Sequence, residues 1–349
     1  MNVRGYAAPH PRVTPVPFTF TRRDPGRHDV AFAVSYCGVC HSDIHQIDED
    51  WGPGIFPMVP GHEIVGVVTA VGAAVTRFSV GDRVGVGTFV DSCRECEYCR
   101  RGEEQYCVEG DTPTYNGRER DGVTPTYGGY CDHFVVDEAY AVRIPDELDL
   151  AAAAPLLCAG ITVYSPLRHW GVGEGSRVGV VGLGGLGHLG VKLAVALGAN
   201  TTVFSHSAGK ATDAARLGAD AFVDTTDVAA MAPLAGTFDL IVNTVSAPLD
   251  LERYLDLLRV DGALVLVGLP GAPYALGAGT LVSKRRTVAG SMAGGTRELQ
   301  EMLDFCARHG VESDVEVVDA ASIATAFERT RASDVKYRFV IDASTFAGG

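Results

Sequence analysis

One stretch restricts the fold more than any other: Arg177-Val178-Gly179-Val180-Val181, then Gly182-Leu183-Gly184-Gly185-Leu186-Gly187, then an apolar run to Leu197 that ends at Gly198. The first five residues read as a buried strand, the next six fit G-x-G-x-x-G, and the run after them reads as a helix stopped by glycine. A chain with 42 glycines produces chance matches, so the pattern alone is weak and a tight structural turn is its competing reading. Lodged between a strand and a helix, it points to a dinucleotide whose pyrophosphate would face backbone N–H groups and the helix N-terminus. Gly182, Gly184, Gly185, Leu186 and Gly187 are therefore candidate cofactor residues. Further strands are expected at 201–204, 221–223, 239–243 and 263–267, separated by helical stretches, which makes this region a doubly wound parallel sheet of the α/β class. Thr244 and Gly268, which follow the last two of those strands, join the cofactor set.

The second strand runs into Ser205-His206-Ser207-Ala208-Gly209-Lys210. An Asp or Glu at this strand end would accept hydrogen bonds from the adenine-ribose diol of NAD and repel a 2′-phosphate. Ser205, His206, Ser207 and Lys210 suit a phosphate instead, so NADP(H) is the expected cofactor. A merely polar loop is the alternative.

At 349 residues the chain is long for one core, and two domains are expected. Its formal charge of −14 argues against a nucleic-acid surface, which needs clustered Lys and Arg. The apolar window from Val178 to Ala199 is interrupted by glycines, His188 and Lys192, so no membrane span is expected. Arg4 is followed by Pro9, Pro11, Pro15 and Pro17 rather than an apolar core, so no signal peptide is expected and the cytoplasm is the default location. Nine cysteines in a reducing compartment are better metal ligands than disulfides.

Residues 1 to about 35 read as short β segments, Asp29 to Ser35 most clearly, and 61–72 and 81–86 continue a β-rich, strongly bent region. Cys93, Cys96, Cys99 and Cys107 then crowd into a polar loop, at spacings that let four thiolates converge on a structural zinc with no open position. Leu299, Met302, Leu303 and Cys306 mark the apolar face of a helix, and Tyr337 to Ile341 a strand expected to return to the first domain.

Tyr36-Cys37-Gly38-Val39-Cys40-His41-Ser42-Asp43-Ile44-His45 packs thiol, hydroxyl, carboxylate and imidazole groups into a few turns of backbone. Such a mixture is costly to fold unless a metal or a proton transfer uses it. A cysteine from this motif with His62 and Cys158, both in apolar or glycine-rich settings, would give a three-ligand zinc with an open position. Taken singly, Cys158 also reads as a packed thiol, His62 as a turn histidine, and Ser42 and Asp43 as helix caps.

Over nearly its whole length the sequence resembles the zinc-dependent medium-chain alcohol dehydrogenases, in their cinnamyl alcohol dehydrogenase and bacterial aldehyde reductase branch. The resemblance is carried by Cys37 to Asp43, Val59-Pro60-Gly61-His62-Glu63, the four-cysteine loop, Cys158 to Thr162, Gly182 to Gly187 and Val335 to Phe339. It implies that Cys40, rather than Cys37, joins His62 and Cys158 on a catalytic zinc, with Glu63 able to approach the metal when substrate is absent. It implies that Ser42 passes a proton through the cofactor ribose to His45, while Asp43 steadies His62. His41 would lie near the cofactor pyrophosphate, Thr162 and Arg338 would contact the cofactor, and Ser291 and Met292 would mark the return between domains. The implied architecture is a β-rich GroES-like catalytic domain from 1–155 and 291–349, with its structural zinc lobe at 91–108, and an NADP-binding Rossmann domain at 156–290. The implied assembly is a homodimer.

Two features stand apart from that pattern. The loop from Glu109 to Gly129 is polar and glycine-rich where family members share a lipophilic pocket, and Trp51 and Phe56 read either as an aromatic substrate wall or as core. The function expected is a two-zinc, NADP(H)-dependent interconversion of primary alcohols and aldehydes, reducing aromatic or medium-chain aldehydes. The alternatives are a polyol or secondary-alcohol dehydrogenase, and a non-catalytic, crystallin-like protein that holds nucleotide and zinc.

Overall fold

The structure, a computed structural model, describes residues 1–348. It divides into two compact units, Met1–Cys158 with the chain from Gly294 onward, and Ala159–Ala293. Sequence placed the boundaries at 155 and 290; Gly349, the end of the expected catalytic domain, lies outside the described residues.

The first unit is built on a seven-stranded sheet ordered Val315–Val318, Arg338–Asp342, Asp29–Gly38, Ile64–Val71, Arg83–Val86 and Val142–Arg143, with His133–Asp137 also pairing to Asp29–Gly38. The strand from Asp29 is buried along most of its length, as its mainly apolar run from Val30 to Val34 requires. Its register slips between Ala31 and Phe32 and between Val34 and Tyr36, which bends it over the core. Phe32, Phe134 and Phe339 fill that core, each stabilising the fold by about 1.5–3 kcal/mol relative to exposure. The C-terminal strand returns to this unit as expected, Val340 to Asp342 lying antiparallel to Tyr36 to Gly38.

The second unit holds six parallel strands in the order Ala221–Asp224, Asn200–Ser205, Arg177–Val181, Phe238–Asn243, Leu258–Leu266 and Thr287–Gly290. In chain order this is 3-2-1-4-5-6, the dinucleotide-fold sequence of strands. The helix Gly187–Ala196 follows the first strand directly, and Gly198 takes a φ of 88° beyond its end. The sixth strand, Thr287–Gly290, went unread in the sequence because only four residues pair and they carry no clear alternation.

Among the described residues no single helix is long and apolar enough to cross a membrane.

Candidate active site and metal centres

Strand Asp29–Gly38 ends just before Cys40, which caps the helix His41–Asp48. That boundary separates the two cysteines of the motif. Cys37 stays in the strand, fully buried, and a Cβ added at Gly61 or Gly129 would press on its sulfur. Cys40 is turned instead toward His62, Glu63 and Cys158, and the four ligand atoms lie within 4.8 Å of one another.

Asp43 organises this cluster from a fully buried position. One carboxylate oxygen accepts the Cys40 N–H at 2.9 Å and the Tyr130 hydroxyl at 3.2 Å. The other accepts the Gly61 N–H at 3.2 Å and lies 3.2 Å from His62 Nδ1. With Nδ1–H committed to Asp43, Nε2 is left as the ligand atom, 3.2 Å from Cys158 Sγ. Tyr115 stacks on the imidazole with ring centroids 5.6 Å apart and an interplanar angle of 19°. Burial lowers the His62 pKa, yet the charge of Asp43 outweighs it and the imidazole titrates well above its ordinary value.

The two thiols face each other at 4.0 Å. Their hydrogen bond holds Cys40 down as the thiolate and pushes Cys158 up. Burial lifts Glu63 to about 7, although Arg338 opposes the shift. Arg338 Nη2 donates to Glu63 Oε1, while Glu63 Oε2 and Arg338 Nε are buried without a partner. A Cβ on Gly38 would press on Glu63 Oε2 and displace that carboxylate. A convergent thiolate, thiol, imidazole and carboxylate with an unsatisfied oxygen fits a zinc ion. Arg338, expected on the cofactor, thus has an ion-pair partner that sequence reasoning missed, because its 275-residue separation from Glu63 hides it.

The relay candidates sit on the next turn. Ser42 Oγ is 3.5 Å from Cys40 Sγ. His45 Nδ1 bonds Asp50 Oδ2 at 2.7 Å, and its ring lies 4.9 Å from those of both His41 and Trp51. Trp51 is exposed, which removes the core reading for it, whereas Phe56 packs against the first unit's core. Asp50 was missed in the sequence: it is the last of three acids, Asp48-Glu49-Asp50, and only the left-handed turn at Glu49 aims it back at His45.

Cys93, Cys96, Cys99 and Cys107 form the second cluster. Cys96 Sγ is 3.4 Å from Cys99 Sγ, and backbone N–H groups of Cys93 and Cys96 point at Cys107 and Cys93 sulfurs at 3.4 and 3.3 Å. Backbone N–H groups of Cys99 and Val108 draw Cys96 down to about 6. Burial pushes Cys99 up to about 12. Four convergent cysteine sulfurs fit a closed tetrahedral zinc.

In the second unit Gly182 has a φ of 89° and its N–H bonds Phe204 O at 2.8 Å. A Cβ on Gly187 would strike Gly182 O, whereas nothing lies within 4 Å of one on Gly184. Lys210 Nζ donates to Leu183 O at 2.8 Å, which brings its charge to the glycine turn. Ser205 is buried and accepts the Ser207 N–H at 3.2 Å, while His206 is exposed. The acid in register with Ser205 on the neighbouring strand, Asp224, is turned to Thr226. Thr244 Oγ1 bonds Val181 O at 2.8 Å, Gly268 N–H bonds Asn243 O at 3.1 Å, and Ser291 N–H bonds Leu266 O at 3.2 Å. Thr162 is half-buried on the helix Ala159–His169, and Met292 is exposed.

A cysteine–histidine metal site in one unit and a doubly wound dinucleotide fold in the other define a class, the metal-dependent dehydrogenases. Family models agree: the alcohol dehydrogenase GroES-like domain matches residues 26–146 and the zinc-binding dehydrogenase model residues 185–308. NADP-dependent alcohol dehydrogenase C 1 of Mycolicibacterium smegmatis is 57% identical over 99% of both chains. Aldehyde reductase YahK of Escherichia coli is 52% identical over 94% of this chain and 95% of its own. The structure of a cinnamyl alcohol dehydrogenase from Sorghum bicolor superposes with a TM-score of 0.95 at 47% identity, covering 100% of this chain and 99% of that one. The chain belongs to the zinc-binding alcohol dehydrogenase family.

Proposed function

We propose that this protein is a zinc-dependent NADP(H) oxidoreductase that interconverts primary alcohols and aldehydes, and reduces aromatic or medium-chain aldehydes. The observation that carries the reading is the convergence of Cys40, His62, Cys158 and Glu63 within 4.8 Å. Cys40, His62 and Cys158 would hold the catalytic zinc, with Glu63 as a resting ligand, and Cys93, Cys96, Cys99 and Cys107 the structural one. Bound there, zinc supplies Lewis-acid polarisation of the substrate oxygen, and the nicotinamide supplies or accepts hydride.

The chain's own residues handle the proton and the orientation. Ser42, next to Cys40, presents a hydroxyl that can donate to an aldehyde oxygen or accept from an alcohol. His45 is the following proton carrier, its Nδ1 fixed by Asp50 so that the other ring nitrogen exchanges protons with water. Asp43 fixes the ligand tautomer of His62. Gly182, Gly184, Gly185, Leu186, Gly187, Thr244 and Gly268 form the glycine-lined strand ends for the dinucleotide, with His41, Thr162, Ser291 and Arg338 as further cofactor residues. Ser205, His206, Ser207 and Lys210 would take the 2′-phosphate, supported by the relative named as NADP-dependent and by the turning of Asp224 to Thr226. Trp51 and Phe56 are the proposed substrate wall. The nine free cysteines support a reducing, cytoplasmic location, and homodimer assembly is the family expectation, read by light scattering.

The test is a comparison of NADPH- and NADH-dependent rates over aliphatic, benzyl and cinnamyl aldehydes, with a zinc count as control. Wild type should prefer NADPH, and Ser205→Asp should cut the NADPH/NADH ratio of kcat/KM roughly tenfold or more through like-charge repulsion. An unchanged ratio sinks the phosphate assignment; stoichiometric zinc with no turnover of any aldehyde sinks the enzyme reading.

A further inference from the structure

Behind the catalytic cluster the segment Gly128-Gly129-Tyr130 is laced to Val59-Pro60-Gly61, the residues that lead into His62. Gly128 N–H bonds Val59 O at 2.8 Å, Gly129 N–H bonds Gly61 O at 2.9 Å and Tyr130 N–H bonds Pro60 O at 3.0 Å. The Tyr130 ring lies so close over Gly61 that a Cβ there would meet its Cδ1 at 2.6 Å, and Gly61 adopts a φ of 103°. Phe327 packs against the ring from another side, centroids 6.3 Å apart at 66°. The ring is packed on two sides and 0% exposed. Its hydroxyl ends on Asp43 Oδ2 at 3.2 Å, the oxygen that also accepts Cys40 N–H.

A fully buried carboxylate needs donors on every side to remain charged and to keep one orientation. Cys40 and Gly61 N–H groups fix Asp43 from the backbone, the Tyr130 O–H bonds it at 3.2 Å, and the Tyr115 hydroxyl, whose ring stacks on His62, also bonds it. The same carboxylate meets the ligand histidine at Nδ1 and the N–H of the ligand cysteine. Turning it by one bond would misdirect two ligands at once.

We propose that Tyr130 is a positioning residue for the catalytic zinc, its hydroxyl locking the Asp43 carboxylate that orients His62 and Cys40. It does not touch substrate or metal; it sets how tightly the three-ligand site keeps its ion. The inference rests on the zinc reading of that cluster. Removing the hydroxyl while keeping the ring leaves the packing on Gly61 and Phe327 intact and subtracts one donor from a buried anion.

The experiment is zinc release from the two-zinc protein to a chromophoric chelator, resolved into a phase lost in Cys158→Ser and a phase that remains. In Tyr130→Phe the first phase should accelerate roughly tenfold, the lower end of the effect of groups that support metal ligands. The four-cysteine phase should not move, and excess zinc should restore aldehyde reduction. Phe327→Leu, which loosens the packing of the ring but keeps the hydroxyl, should leave the ratio of the two phases as in wild type. An unchanged first phase in Tyr130→Phe overturns the proposal, and so does equal acceleration of both phases or an equal effect of Phe327→Leu, because each assigns Tyr130 to packing alone. Wild-type protein that binds a single zinc would sink the underlying metal reading instead.

Discussion

At the scale of the residue, His45 depends on a neighbour that pattern reading does not name. Its Nδ1 is tied to Asp50 at 2.7 Å, which selects the tautomer and turns the ring against Trp51. Asp50→Asn should lower kcat for aldehyde reduction about tenfold, a fraction of what a full acid–base group contributes, with zinc content and NADPH affinity unchanged. Loss of zinc along with activity would instead place Asp50 in the scaffold of the metal. Cys37 and Cys40 teach a related lesson. Both flank Gly38-Val39, and the motif by itself leaves either as the ligand. The choice is made by where the strand stops and the helix starts, since that boundary leaves Cys37 in the core and sends Cys40 toward His62 and Cys158.

At the scale of the element, the strand–turn–helix around Gly182 was legible because its constraints are local. Periodicity, glycine spacing and a glycine stop act within 22 residues of one another, from Arg177 to Gly198. The glycines are not equivalent. A methyl on Gly187 meets the Gly182 carbonyl, so Gly187→Ala should cost about 1–3 kcal/mol of stability as the turn opens. Gly184 faces open space, so Gly184→Ala should leave the melting temperature unchanged and weaken only NADPH binding, read by quenching of protein fluorescence. Equal destabilisation by both substitutions would contradict this division. The four-cysteine lobe was legible for the same reason, its ligands lying within fifteen residues. The short strand Thr287–Gly290 was not, because it is a strand only by pairing with Leu258–Leu266.

At the scale of the whole molecule, one unit is continuous in sequence and the other is closed by the C-terminal segment. All six strands of the second unit, and a core that includes Phe204, Phe238, Leu255 and Leu264, come from Ala159–Ala293. A fragment of those residues should therefore melt cooperatively and bind NADPH, weakly, in the absence of the rest; non-cooperative melting would show that its core is insufficient alone. Sequence by itself determined the doubly wound sheet, the four-cysteine lobe and the residue types able to form a metal site, because each is written in short-range spacing. The joining of Cys158 to Cys40 across 118 positions was expected from the family resemblance, whereas tertiary structure alone decided the pairing of Glu63 with Arg338 and the hold of Tyr130 on Asp43. Those contacts arise where separate strands and loops are brought together by a shared core, and no local periodicity records which buried polar groups will meet there.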